Sequence, residues 1–188
     1  EAGCDEAGRG CLAGPVVAAA VIFPKKYRHK KLNDSKQLCR EVREEMRYQI
    51  QKDALAWAVA EVDHEEIDRI NILNASFKAM HLALDKLAMQ PELLLIDGNR
   101  FNPYKDYKFE CIIKGDAKYL SIAAASILAK TYRDDLMGDL AKKFCGYGWE
   151  TNVGYPTVEH RDGIRLLGIT PYHRRSFTLL PAQLEIFD

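Results

Sequence analysis

The sequence predicts a mixed β-sheet with helices packed on its faces, an α/β or α+β fold. Three observations carry this reading. Two segments with strand character open the chain, helix and strand patterns then alternate, and one short run, Leu93-Leu94-Leu95-Ile96, is apolar at every position. Such a run suits a central strand covered on both sides, and layered packing of helices on a sheet follows. The chain has 188 residues, 47% hydrophobic and 29% charged. At that length roughly 70% of the surface of the unfolded chain is buried on folding. The composition excludes collagen-like, disordered and disulfide-scaffold classes.

The elements follow in order. Ala2 to Glu6 reads as the end of a strand. Val16 to Phe23 (VVAAAVIF), bounded by Gly14-Pro15 and Pro24, reads as a second. Gly8, Gly10 and Gly14 punctuate the short connection, so the pair should be antiparallel. Arg40 to Lys52 is charged and helical in character, and Ala54 to Val62 alternates enough for a third strand. From Asp63 a helix is expected, broken near Asn71. A longer amphipathic helix then places Phe77, Met80, Leu84 and Leu87 on one face. Pro91 ends it before the apolar run at 93–96. Cys111 to Ile113 reads as a further short strand. Ser121 to Phe144 is the strongest helix, with Ile122, Ala125, Ala129, Leu136, Leu140 and Phe144 close to one face. A last helix is expected over Thr157 to Leu167, followed by a Pro-interrupted arm. No repeat or linker interrupts the chain, so residues 1–188 read as one domain, with roughly 149–188 as its helical C-terminal part.

Charge is balanced overall, 27 basic against 27 acidic residues, so no global field advertises a polyanionic partner. The distribution is uneven. Seven bases lie between Pro24 and Arg40 against Asp34 alone, and His173-Arg174-Arg175 forms a second basic cluster. Either run is compatible with a solvated face or a binding surface. The five cysteines form no C-x-x-C pair and read as free thiols of a reducing, cytoplasmic compartment. No apolar run approaches the roughly 20 residues of a membrane span, and no signal peptide is visible.

The informative pattern is that acids terminate apolar strands. Asp5-Glu6 closes the first strand, Asp97 closes the run at 93–96, and Asp116 follows Cys111-Ile112-Ile113 just before the long helix. In open sheets, ligands bind in crevices beyond strand ends. Acids meeting there repel unless a cation lies between them, and hard ions such as Mg²⁺ take a few carboxylate oxygens and share substrate phosphates. Four such acids suit a two-metal phosphodiester site with ions roughly 3.5–4 Å apart. Each acid also has a plain alternative, a turn or an N-cap. Adjacent strand residues face opposite ways, so Asp5 and Glu6 serve one site only if the strand bends there, and Gly8 and Gly10 make a bend plausible.

These residues also carry a resemblance. The segment C-D-E-A-G-R-G-C-L-A-G-P-V-V-A-A-A-V resembles the opening motif of ribonuclease HII. In order and register follow L-N-D-S-K-Q-L (32–38), I-N-I-L-N-A-S (70–76), L-I-D-G-N (95–99), K-G-D-A-K-Y-L-S-I-A-A-A-S-I-L-A-K-T-Y-R-D (114–134), G-Y-P-T (154–157) and H-R-R-S-F (173–177). The resemblance implies a ribonuclease-H-like mixed sheet with a helical C-terminal extension. It implies a metal-dependent endoribonuclease that hydrolyses the RNA strand of RNA/DNA hybrids and cleaves 5′ of single ribonucleotides in duplex DNA, leaving 5′-phosphate and 3′-hydroxyl ends. By motif, Asp5, Glu6, Asp97 and Asp116 are the catalytic acids and hold Mg²⁺ or Mn²⁺, two ions when substrate is bound. Gly8, Arg9 and Gly10 read the ribose 2′-hydroxyl, Tyr155 stacks on the neighbouring sugar, and Ser35 and Lys36 contact phosphates. Asn74 and Ser76 either do the same or cap and pack.

One departure is Val153, where the family often has Lys; if that Lys is a phosphate contact, the salt dependence of binding falls by about one counterion. None of the five histidines lies within the acid motifs, so none is expected to transfer protons. The partners implied are RNA/DNA hybrid and ribonucleotide-containing duplex DNA, with no membrane, and a monomer is the default. Two other readings stay open: a ribonuclease HIII-like hybrid nuclease, and a non-catalytic nucleic-acid-binding module, in which four acids beside a polyanion would oppose binding.

Overall fold

The computed structural model describes residues 1–29, 32 and 39–181. Five strands form one mixed sheet: β1 (Ala2–Ala7), β2 (Val16–Ile22), β3 (Ala56–Val62), β4 (Leu93–Asp97) and β5 (Lys108–Ile112), in the order β3-β2-β1-β4-β5. β1 pairs antiparallel with β2, and β2 with β3, whereas β4 runs parallel to β1 and to β5. The sheet is therefore a meander extended by two parallel crossovers. The carboxyl ends of β1 and β4 come side by side, with Cys4 opposite Ile96.

Helices cover both faces. α2 (His64–Ile70) and α3 (Ile72–Asp85) lead to one face; α1 (Arg40–Asp53) and the 24-residue α4 (Leu120–Lys143) cover the other. Val16, Ala18 and Ala20 of β2 pack with Phe77, Met80 and Leu84 of α3, while Ala19 and Val21 pack with Ala124, Ile127 and Leu128 of α4. Every residue of β2 is buried, which explains why its sequence is apolar throughout rather than alternating. The alanines keep both interfaces shallow. Gly3 is the closest approach, since a Cβ there would lie 2.2 Å from the main chain of Ser121.

Local signals place the boundaries. Asp63 accepts from Glu66 N to start α2, Asn71 accepts from Asn74 N to start α3, and Thr157 accepts from His160 N to start α6 (Val158–Leu167). Asn71 itself sits at φ 67°, the break between α2 and α3. Three details differ from the sequence reading. β5 begins at Lys108 rather than near Cys111: it is an edge strand in which Phe109 and Cys111 face the core while Lys108 and Glu110 face water, and this alternation dilutes the apolar signal. The first half of α4 is buried nearly all round, from Ser121 to Ala129, because sheet and α1 enclose it, so one stripe does not describe it. A short α5 (Trp149–Asn152) and a 3-10 turn at Gly115–Ala117 had no sequence signal. A third apolar cluster, of Leu12, Ala13, Met137, Tyr147, Trp149 and Ile164, joins the segment from 147 onward to α4 and the β1–β2 loop.

Candidate active site

β1 stays in register through Ala7, with Asp5 opposite Ala19 and Glu6 opposite Ala18. The strand therefore does not bend between the two acids, and they leave opposite faces of the sheet. Asp5 points towards α4, where Ser126 donates to it. Glu6 enters a small cleft of about 50 Å³ whose walls include Ser76 and Phe77 of α3 and, on the far side, Asp97. Asp97 ends β4 and couples the pair. Its charge acts on both, and its Oδ1 accepts from Gly115 N at 2.7 Å, which pins the 3-10 turn carrying the buried Asp116 beside the strand ends. A Cβ on Gly115 would meet Ile122 and Asp97, so this approach needs glycine. Asp116 lies inside the turn and is not the N-cap of α4, a position held by Tyr119.

The electrostatics follow from this crowding. Burial, then the charges of Glu6 and Asp97, push the Asp5 carboxyl well above its usual range, against the pull of Ser126 and of the Glu6 main-chain N–H at 2.7 Å. Glu6 is raised by burial and by Asp97, while Arg9, 3.1 Å away, pulls it down. Among the described residues no three His, Cys, Asp or Glu side chains close into a ready-made metal cage. The donor chemistry nonetheless fits a hard divalent cation: the groups are carboxylates, partly desolvated, with like charges for neighbours, and Mg²⁺ needs few of them because it keeps water ligands.

A second cluster adjoins the first. Gly8 turns the chain out of β1 at φ 94°. The Arg9 carbonyl accepts from Arg174, and Leu12 N donates to Gly154 O at 2.8 Å. A Cβ on Gly10 would lie 4.0 Å from the Tyr155 ring, which is half exposed. The structure thus brings Gly8, Arg9, Gly10 and Tyr155 together, although they come from segments 145 residues apart in sequence. Asn74 is held at the start of α3, donating to Ile70 O, and Ser76 donates back to Ile72 O while lining the cleft with Glu6 and Asp97. Ser35 and Lys36 lie outside the described residues.

Sequence reasoning missed the residues that hold this cluster. Arg133 and Arg174 are 1% and 0% exposed. Arg133 donates to Pro15 O (2.9 Å), Val153 O (2.7 Å) and Ala13 O (3.0 Å). Arg174 donates to Gly14 O (2.9 Å), Arg9 O (3.0 Å) and Pro15 O (3.1 Å). Two guanidinium forks therefore staple the β1–β2 loop to the turn before Tyr155 and to the C-terminal arm. Burial, and then the neighbouring Arg133, push Arg174 down to about 10. The sequence around each is polar, Lys130-Thr131-Tyr132-Arg133-Asp134-Asp135 and His173-Arg174-Arg175, so nothing local marks either arginine as buried.

Comparison with known proteins now decides the family. The sequence profile of ribonuclease HII matches residues 2–180. The chain belongs to the ribonuclease HII family. Ribonuclease HII of Parabacteroides distasonis is 62% identical over 186 residues, 99% of this chain and 94% of that one. The structure of the PCNA:RNase HII complex from Archaeoglobus fulgidus superposes with a TM-score of 0.79 at 28% identity, covering 99% of both chains. Bst-RNase HIII in complex with Mn²⁺ shares the fold, with a TM-score of 0.74 at 21% identity over 95% of this chain and 67% of that one. The ribonuclease-H-like α/β architecture is thus established, and as a ribonuclease HII this chain is a nuclease that hydrolyses the RNA strand of RNA/DNA hybrids. Among the described residues no helix is long and apolar enough to cross a membrane.

Proposed function

We propose that this ribonuclease HII also incises duplex DNA 5′ of a single embedded ribonucleotide, acting as a monomeric cytoplasmic enzyme whose one catalytic domain spans 1–188. The observation that carries this reading is the adjacency of two clusters: coupled acids at the ends of β1 and β4, and beside them the Gly8–Gly10 loop fastened to Tyr155. The first has the chemistry for phosphodiester hydrolysis, and the second has the shape to test one sugar. Asp5, Glu6, Asp97 and Asp116 would hold Mg²⁺ or Mn²⁺. When bound, two such ions supply activation of water and charge stabilisation at the leaving 3′-oxygen, giving 5′-phosphate and 3′-hydroxyl ends.

The chain's own groups do the selecting. Gly10 is exposed and offers its main chain to the ribose, whose 2′-hydroxyl both donates and accepts, while the buried Gly8 makes the turn beneath it against Arg133. Arg9 stands between the acids and the solvent, tethered by Glu6, and adds positive charge where a phosphate must approach. Tyr155 offers an aromatic face to the adjoining sugar. Ser35 and Lys36, within the basic segment 25–40, are proposed phosphate contacts on motif alone.

The test is cleavage of a DNA duplex carrying one ribonucleotide, with Mg²⁺, with Mn²⁺ and with EDTA, alongside Asp97→Asn. Metal-dependent cutting on the 5′ side, lost in the variant, is expected. Hybrid cleavage without cutting at the single ribonucleotide refutes the junction reading. Cutting undiminished in Asp97→Asn refutes the assignment of the acids.

A further inference from the structure

Beneath Tyr155 lies a buried network that the proposed chemistry does not use. His160 on α6 and His173 on the C-terminal arm are both 0% exposed. The hydrogen bonds fix their proton positions. His160 Nδ1 lies 2.9 Å from Tyr155 O, and a carbonyl only accepts, so Nδ1 carries the proton and donates. His160 Nε2 is then bare and accepts from Trp149 Nε1 at 2.9 Å. His173 Nδ1 accepts from the main-chain N–H of Thr170 at 2.9 Å, so its proton is on Nε2, which faces His160 Nε2 at 3.2 Å. With both rings neutral and in these tautomers, His160 Nε2 is the shared acceptor of Trp149 and His173, and His173 Nδ1 that of the Thr170 main chain, with the Thr170 hydroxyl also 2.9 Å away. Burial keeps both below their ordinary range, His173 at about 4.

The consequence lies at Tyr155. Its carbonyl has two donors, Thr157 N at 2.8 Å and His160 Nδ1 at 2.9 Å. Its amide donates to Asn152 O at 2.9 Å. The residue is thus gripped through its main chain, leaving the half-exposed ring to stand beside Gly10. We propose that His160 is a positioning residue for ribonucleotide recognition: locked as its Nδ1-protonated tautomer by Trp149 and His173, it sets the main chain of Tyr155 and so the spacing between the Tyr155 ring and the Gly8–Gly10 loop. This rests on the assignment of Tyr155 to the sugar next to the ribonucleotide.

Two variants separate the role from simple packing. In His160→Asn the amide nitrogen takes the place of Nδ1 and keeps the bond to Tyr155 O. In His160→Gln the amide sits at the place of Nε2, satisfies Trp149 and His173, and loses Tyr155. The readout is the ratio of kcat/KM for a single-ribonucleotide duplex to kcat/KM for a uniform RNA/DNA hybrid. Loss of one hydrogen bond's positioning is expected to lower this ratio about tenfold in His160→Gln. His160→Asn should stay within about twofold of wild type, by the same comparison of one bond kept or lost. Tyr155→Ala should lower the ratio too, and adding His160→Gln to it should change nothing more. Equal ratios in the Asn and Gln variants, or additive losses in the double variant, overturn the proposal. If Tyr155→Ala leaves the ratio unchanged, the role assigned to Tyr155 fails. The tautomers provide an independent check, read by ¹⁵N–¹H multiple-bond correlation on histidine-labelled protein: His160 protonated on Nε2 refutes the positioning network whatever Tyr155 does.

Discussion

Replacing Arg133 with Met tests whether the buried guanidinium forks hold the substrate loop. The change keeps a long unbranched side chain but removes three donors. Pro15 O retains Arg174 as a donor at 3.1 Å, whereas Ala13 O and Val153 O lose the guanidinium. Leaving the buried carbonyl of Ala13 unsatisfied costs about 1–3 kcal/mol, and the part-buried carbonyl of Val153 adds a smaller loss, together about 2–4 kcal/mol. Two effects oppose this. A buried guanidinium no longer has to be desolvated, and Arg174 is freed from a like charge. Buried charges replaced by apolar side chains are neutral or stabilising when their partners are replaced as well; here the carbonyls belong to the main chain and stay. The unsatisfied acceptors should win, leaving a net loss of about 2–3 kcal/mol. For a chain of this length that is a fall in Tm of about 5–10 °C. Equilibrium urea unfolding at pH 7 without divalent ions, followed by tryptophan fluorescence, measures it. A loss below about 1 kcal/mol, or a gain, would refute the view that these forks fix the loop.

Four further outcomes follow from the same geometry. His173 binds fewer protons folded than unfolded, since burial and the nearby His160 hold it at about 4 against an unfolded value near 6.5; its contribution is complete above that value and is lost as pH falls, by about 2 kcal/mol at pH 4.5. Asp5 and Glu6, raised in the fold, act with the opposite sign, so the quantity to compare is the pH dependence of wild type against His173→Gln, with Arg161 and His64 as the other charges near the pair; identical dependence would refute it. Asp97→Asn keeps the acceptor for Gly115 N and removes a repelling charge, so it should abolish activity, leave the metal-free protein at least as stable, and lose the rise in Tm that excess Mg²⁺ gives wild type. Gly8→Ala puts a Cβ 2.0 Å from Arg133 Nε at φ 94°, and should cost about 2 kcal/mol or more and lower hybrid cleavage. Val153→Lys should steepen the salt dependence of substrate binding by about one counterion, read as the slope of log K against log salt concentration; an unchanged slope refutes a phosphate contact at this position.

Much of the fold was legible because local chemistry and tertiary environment agree. The caps Asp63, Asn71 and Thr157 start the helices they suggest, and the β2 run is apolar at each position because both its faces are covered. Where the two disagree, the sequence misleads. β5 shows only half its residues to the core, and the first half of α4 is enclosed, so neither has the period expected of it. The acids were legible as strand ends, because a strand reports where it stops. Arg133 and Arg174 were not, because they donate to carbonyls of residues 9–15 from the far end of the chain, and His160 and His173 were not, because their pairing with each other and with Trp149 exists only in the packed interior; no local pattern encodes which group a buried side chain will reach.

Strand alternation separates Asp5 from Glu6, and nothing in β1 bends to reconcile them. What reconciles them is the neighbouring strand. Because β4 runs parallel to β1 and ends one residue past the Cys4–Ile96 pair, Asp97 arrives at the sheet's carboxyl edge where charges from both faces of β1 are felt. Gly115 then brings the turn of Asp116 against it. A site of this kind straddles the end of a sheet rather than lying on one of its faces. In the site we propose, a cation held at that edge would relieve the repulsion that Glu6 and Asp97 exert on the buried Asp5, and Asp97, which acts on both acids of β1, is the group through which the two faces would meet.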